Sequence, residues 1–193
     1  MQNGHLMELA IIMGSAHSLD VIVQMYKRCN ATRLQAQLAS YKHLILAEAI
    51  LHAGMAEYFS EKSSRWVRHD HQRRLKRASL KAAVERLRSA HLSNCASFHE
   101  LFLVVQDSIA SIPGIGELMV YDTSLRIGAH LGLEADRVYL HSGTKEGARR
   151  LGMGVGAPWI DQNRLPEPLQ SLLPREVEDL LCIYKDHLTR KGD

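Results

Sequence analysis

From Ala31 to Phe59 the chain reads "ATRLQAQLASYKHLILAEAILHAGMAEYF", with Leu34, Leu38, Tyr41, Ile45, Leu51 and Met55 near one helical face. No proline interrupts this run, so the spacing predicts one long amphipathic helix. Residues 6 to 28 mix apolar and small residues at looser helical spacing, with Asn30 placed to cap the helix that follows. After a linker at "EKSS", Leu75, Leu80, Val84 and Leu87 predict a second long helix over roughly 66 to 90. Ser97 and Glu100 have the spacing of a capping box, opening the apolar helix "FHELFLVVQDSIA".

A proline and two glycines then separate that helix from another, which runs to a stop at Gly132. The stretch "RVYLH", residues 137 to 141, reads as a short extended piece. Ser142, Gly143 and Thr144 precede a short helix carrying Lys145, Arg149 and Arg150, and Gly152, Gly154 and Gly156 alternate through a loop. The last helix, "REVEDLLCIYKDHLTR", begins with acids and ends with bases, as the helix dipole favours. The expected fold is mostly α: a multi-helix protein with one short extended segment. Its expected organisation is a helical region at 1–60 and a basic, helical domain at 61–193, or a single domain combining both.

Composition narrows the classes. At 193 residues, with 46% hydrophobic and 23% charged residues, the chain can bury a substantial core. Cys29, Cys95 and Cys182 lie far apart without C-x-x-C pairing, which suits a reducing compartment and gives no zinc module. The apolar patch "LAIIMG" lacks a preceding basic region, so no signal peptide and no membrane span are expected, and a cytoplasmic location follows.

The net charge of +3 is unevenly spread. Between Lys62 and His91 ten Lys or Arg residues face only Asp70 and Glu85, a local +8 that leaves −5 elsewhere. Such a field attracts polyanions, and Arg68, Arg73, Arg74, Lys76 and Arg77 are its candidate contacts. A solvated helix face, its charges paired with acids elsewhere, is the alternative.

The candidate chemistry centres on "SIPGIGELMVYDTSLRIG", residues 111 to 128. A buried helix, then Ile112-Pro113-Gly114-Ile115-Gly116, then a second helix resembles the helix-hairpin-helix motif over about 25 residues. The resemblance implies phosphate contact without strong sequence readout: Gly114 and Gly116 allow close backbone approach, Ile115 locks the hairpin, and helix-start amides suit a phosphate oxygen. Glu117 and Leu118 stand where the motif often has other residues. A plain helix-helix turn is the competing reading.

The segment "VYDTSLRIG" is similar, in residue order, to the catalytic segment of helix-hairpin-helix DNA glycosylases. That likeness implies a catalytic role for Asp122, which would activate water or stabilise cationic charge as a glycosidic bond breaks. Helical spacing instead sets Arg126 four residues on, within reach of Asp122 as a structural pair. Thr144 and Lys145 form a second candidate anion site. His69, Asp70 and His71 are the one compact histidine cluster, read as part of the basic surface; no metal or cofactor is expected.

The resulting expectation is nucleic-acid binding, DNA before RNA, through phosphates. A glycosylase-like repair enzyme using Asp122 and a helical scaffolding module that pairs with a partner or a second copy are the alternatives.

Overall fold

The computed structural model describes residues 18–188, and the protein is mostly α-helical with two small antiparallel sheets. The expected helix over residues 6 to 28 lies partly outside the described residues; within them its remainder is α1, Leu19–Tyr26, capped by the Ser18 hydroxyl, which accepts from the Val21 amide. Asn30 does not cap the next helix. The backbone continues through a π-turn, Lys27–Ala31, and the Asn30 side chain instead accepts a hydrogen bond from the Tyr184 hydroxyl at 3.0 Å.

The long helix expected over 31 to 59 is broken into α2, Thr32–Ala39, and α3, Leu46–Gly54. The Ser40 hydroxyl donates to the Gln37 carbonyl at 2.7 Å, and the amides of Tyr41 and Lys42 bond back only three residues, which closes α2. Glu48 then accepts the Ile45 amide and starts α3. The break turns Tyr41 inward, 1% exposed, with its hydroxyl donating to the Glu57 carbonyl.

The region 57 to 69 is not helical either. β1, Glu57–Ser60, pairs antiparallel with β2, Arg65–Arg68, in the register Tyr58 to Val67 and Phe59 to Trp66. "EKSS" is therefore the turn of a hairpin, with Ser64 in the left-handed region at φ 50°. Aromatic and β-branched residues favour the pleated form here, and Trp66 packs edge-on against Phe59 and Tyr41. A 3₁₀ turn at Asp70–Gln72 follows, so the basic helix shortens to α4, Arg77–Arg88.

Ser97 caps α5, Phe98–Ile109, by accepting from the Glu100 amide, while Glu100 reaches back to the Ala96 amide. α6, Glu117–Leu131, ends at Gly132 in the left-handed conformation, φ 73°, as its sequence predicts. Beyond it come β3 (Val138–Tyr139), α7 (Ser142–Arg150), β4 (Trp159–Ile160), α8 (Glu167–Gln170) and α9 (Pro174–Ile183). Ser142 to Thr144 form the first turn of α7 rather than preceding it. The last helix stops at Ile183 and gives way to a 3₁₀ turn, Lys185–His187.

The chain divides into two units: a continuous one from Ala31 to Asp136, and one built from residues up to Asn30 with those from Arg137 onward. The boundary expected at 60/61 falls inside the β1–β2 hairpin of the continuous unit. In that unit α3, α4, α5 and α6 pack on one another around Ala53, Leu80, Leu87, Leu101, Val105, Ile109 and Ile127, each fully buried. Side chains such as Leu80 and Leu101 each contribute about 1.5–3 kcal/mol by leaving water.

In the other unit α7 packs on α9, β3 lies against α9, and β3 pairs with β4. Tyr26 of α1 donates its hydroxyl to Asp179 of α9 at 3.1 Å, and α1 packs against α8. No described helix is long and apolar enough to cross a membrane.

Candidate functional site

The hairpin forms as its residues demand. Pro113 occupies the second position of a turn closed by the Ile115 amide on the Ile112 carbonyl, and Gly114 takes φ 89° at the third. Ile112 and Ile115 turn into the core, 4% and 8% exposed, while Gly114 and Gly116 face solvent. Gly116 is the N-cap of α6 and has no side chain to cover the amides of its first turn.

The turn is tied to α4. Ser79 donates to the Pro113 carbonyl at 2.7 Å, and Arg86 donates to the Ser111 hydroxyl at 2.7 Å and the Ser108 carbonyl at 3.3 Å. Ser79 and Arg86 are seven residues apart and share a helix face, with Lys76 flanking it at the N-cap. Arg77, Lys81 and Arg88 occupy roughly the opposite flank of the same helix. The basic helix therefore presents two cationic edges, one beside the hairpin and one away from it.

The other sequence-picked cations separate. Arg73 is exposed and paired with exposed Asp70, Arg74 and Arg77 are exposed, and Arg68 is half-buried with one Nη directed at the Leu75 carbonyl. Lys145 is half-buried in the other unit. Thr144 is fully buried, so its hydroxyl is not presented to an external anion. It bonds to His141 at 2.8 Å and donates to Glu178 at 3.0 Å, because the buried Glu178 carboxylate, in contact with His141 Nε2, requires donors around it. The sequence carries no local sign of this trio, since His141 and Glu178 are 37 residues apart.

Asp122 is the centre of a second polar cluster. Its Oδ2 accepts from Gln72 Nε2 at 2.7 Å, Arg126 Nη2 at 3.1 Å and His71 Nε2 at 3.1 Å. Arg126 also donates to Gln72 Oε1 at 3.2 Å, so three side chains close a ring of hydrogen bonds. The expected Asp122–Arg126 pair is thus present, with Arg126 nearly buried and its Nη1 lacking a partner among the described residues. Oδ1 of Asp122 likewise receives no donor from the described residues. Burial alone would raise the Asp122 pKa; the Arg126 charge, then the His71 hydrogen bond and charge, outweigh it and hold the carboxyl below its usual range.

His69 departs from the basic-surface expectation. It sits between the rings of Tyr58 and His71, at 4.6 and 5.2 Å, and burial, then the Arg126 charge, push its pKa down to about 3. It is neutral at pH 7. His71, by contrast, is half-exposed and reaches the cluster from its rim. Among the described residues no group of three metal-binding side chains converges. Gln72 was invisible to sequence reasoning, because a lone glutamine between charged neighbours carries no periodic signal.

Family models, curated proteins and solved structures yield no match to this chain.

Proposed function

We propose that the protein binds nucleic acid through phosphates, without strong sequence readout, using the Pro113–Gly116 hairpin and the cations of residues 68 to 88. One observation carries this reading. Ser79 and Arg86 of α4 bond to Pro113 and Ser111 of the turn whose exposed glycines follow, so the hairpin backbone and a guanidinium stand at one junction. Arg73, beside Asp70, and Arg74 are exposed as well, and Arg77 stands on the flank of α4 away from the hairpin, so the positive field surrounds the helix rather than ending at the turn. Duplex DNA is the first ligand to test, with duplex RNA as its comparison.

The test is fluorescence anisotropy with a labelled DNA duplex across a salt series. Replacing Arg73, Arg74 and Arg77 together by Gln should weaken binding and flatten the slope of log K against log salt by about 0.9 for each phosphate left unneutralised. Unchanged affinity and slope in the triple variant would sink the proposal. Gly116→Leu adds a discriminating arm: its backbone is extended and nothing lies within 4 Å of an added Cβ, so the fold should accept it while a phosphate would not.

A second reading, base release by a glycosylase-like activity, is favoured by one feature of Asp122. The Arg126 charge and the His71 hydrogen bond keep the carboxylate ionised, while Oδ1 receives no donor from the described residues. Abasic-site formation by the wild type, lost in Asp122→Asn with duplex binding retained, is its expected result. No abasic product from wild type on damaged duplexes removes this reading and leaves the binding proposal standing.

A further inference from the structure

We infer that the loop after α7 and the β4 segment form a binding pocket for a planar aromatic molecule bearing one anionic group, of the size of a mononucleotide. A cavity of about 470 Å³ opens there, within the roughly 300–1,000 Å³ of small-molecule sites. Its floor is apolar: Ile160 and Leu165 are 6% and 4% exposed, with Met153 and Trp159 half-buried beside them.

The rest of the lining differs in chemistry from these apolar residues. Gly154 and Gly156 contribute bare backbone to the lining, and an added Cβ on either would meet nothing within 4 Å. Arg164 also lines the pocket, exposed and without an ion-pair partner among the described residues. The Trp159 indole is held by Arg137, whose guanidinium carbon lies 5.1 Å from the ring centroid. A preset indole beside an apolar floor suits a flat ring, and an unpaired guanidinium with open backbone suits a phosphate or carboxylate.

This pocket lies wholly in the unit that excludes the hairpin, so it does not rest on the nucleic-acid reading. Phosphate and carboxylate anions share the chemistry invoked, and the probes separate them: AMP for one, indole-3-acetate for the other, with adenosine and inorganic phosphate as the halves of AMP. The readout is the ¹H–¹⁵N spectrum, in which the chain's two tryptophans give two indole signals, assigned by Trp159→Phe.

Saturable movement of the Trp159 indole and of the Gly154 and Gly156 amides by AMP or by indole-3-acetate supports the inference, and the tighter of the two identifies the anion. Arg164→Ala should weaken that ligand by about tenfold, equivalent to roughly 1.4 kcal/mol. Gly154→Leu, which the backbone accepts without strain, should abolish binding while the remaining spectrum stays in place. The inference is overturned if neither anion shifts the Trp159 indole, if adenosine binds as tightly as AMP with indole-3-acetate inert, or if Arg164→Ala titrates like wild type. Duplex anisotropy on the same Arg164→Ala sample should be unaltered, so failure here and failure of the hairpin proposal are read separately.

Discussion

Ser79 donates its hydroxyl proton to the Pro113 carbonyl oxygen across 2.7 Å, joining the basic helix to a turn 34 residues further along the chain. A single hydrogen bond of this kind contributes about 1 kcal/mol net. Ser79→Ala should lower unfolding free energy in urea by that order. It should also speed hydrogen exchange at the Ile115 amide, which closes the turn on Ile112. Unaltered exchange at Ile115 would mean that the turn holds its shape without α4.

The two hairpin glycines should respond differently to alanine. Gly114 has φ 89°, where a Cβ costs about 1 kcal/mol or more, whereas Gly116 has φ −108° and open space around it. Gly114→Ala should therefore lower Tm by about 2–4 °C for a chain of this size, and Gly116→Ala should stay within about 0.5 kcal/mol of wild type. Equal melting temperatures for the two variants would contradict the assigned turn geometry.

Much of this architecture was legible because its signals are local. Ser97 and Glu100, Gly132, and Pro113 with its glycines each act within a few residues, and each stands where the pattern places it. The β1–β2 hairpin was not legible, since four-residue strands are too short to display alternation and the apolar spacing of α3 runs straight into them. The polar clusters were hidden for another reason. Gln72 and Asp122 meet across 50 residues, Glu178 and His141 across 37, and only the packing of helices brings such partners together.

Stability against pH should carry the mark of His69. Its folded pKa of about 3 lies below the ordinary 6.5, so between those values the unfolded chain binds a proton that the native state refuses. Stability from this residue is complete above about pH 6.5 and is lost as pH falls toward 3, at about 1.4 kcal/mol per pH unit in the middle of that window. Asp122 has a depressed pKa, so its share is present above the ordinary carboxylate range and is lost as pH falls from that range through the lower folded value. Chemical denaturation of His69→Phe from pH 7 to pH 4 should show a shallower decline than wild type. A parallel decline would exclude His69 as a contributor.

Gly147 should tolerate nothing larger. A Cβ built on it would lie 2.2 Å from the Leu181 carbonyl oxygen and 2.9 Å from its carbon, both backbone atoms of α9. Gly147→Ala must push α7 and α9 apart, and overpacking of this kind costs about 1–3 kcal/mol. The matched control is Gly154→Ala, expected to be near neutral because its Cβ meets nothing. Urea midpoints of the two variants decide the point, and coincident midpoints would refute the close α7–α9 contact.

One unit is a single run of chain, whereas the other needs α1 from before Ala31 and α7 to α9 from after Asp136. On a ribosome, the continuous unit has its whole complement of core helices once Asp136 has left the exit tunnel. Tyr26, however, must wait for Asp179, its hydrogen-bond partner 153 residues later. For those seconds of synthesis α1 has an apolar face, Ile22, Val23 and Tyr26, with no α8 or α9 to receive it. The connectivity thereby sets the order in which partners become available: the core helices of the continuous unit are all present before α8 and α9, which receive α1, have been made.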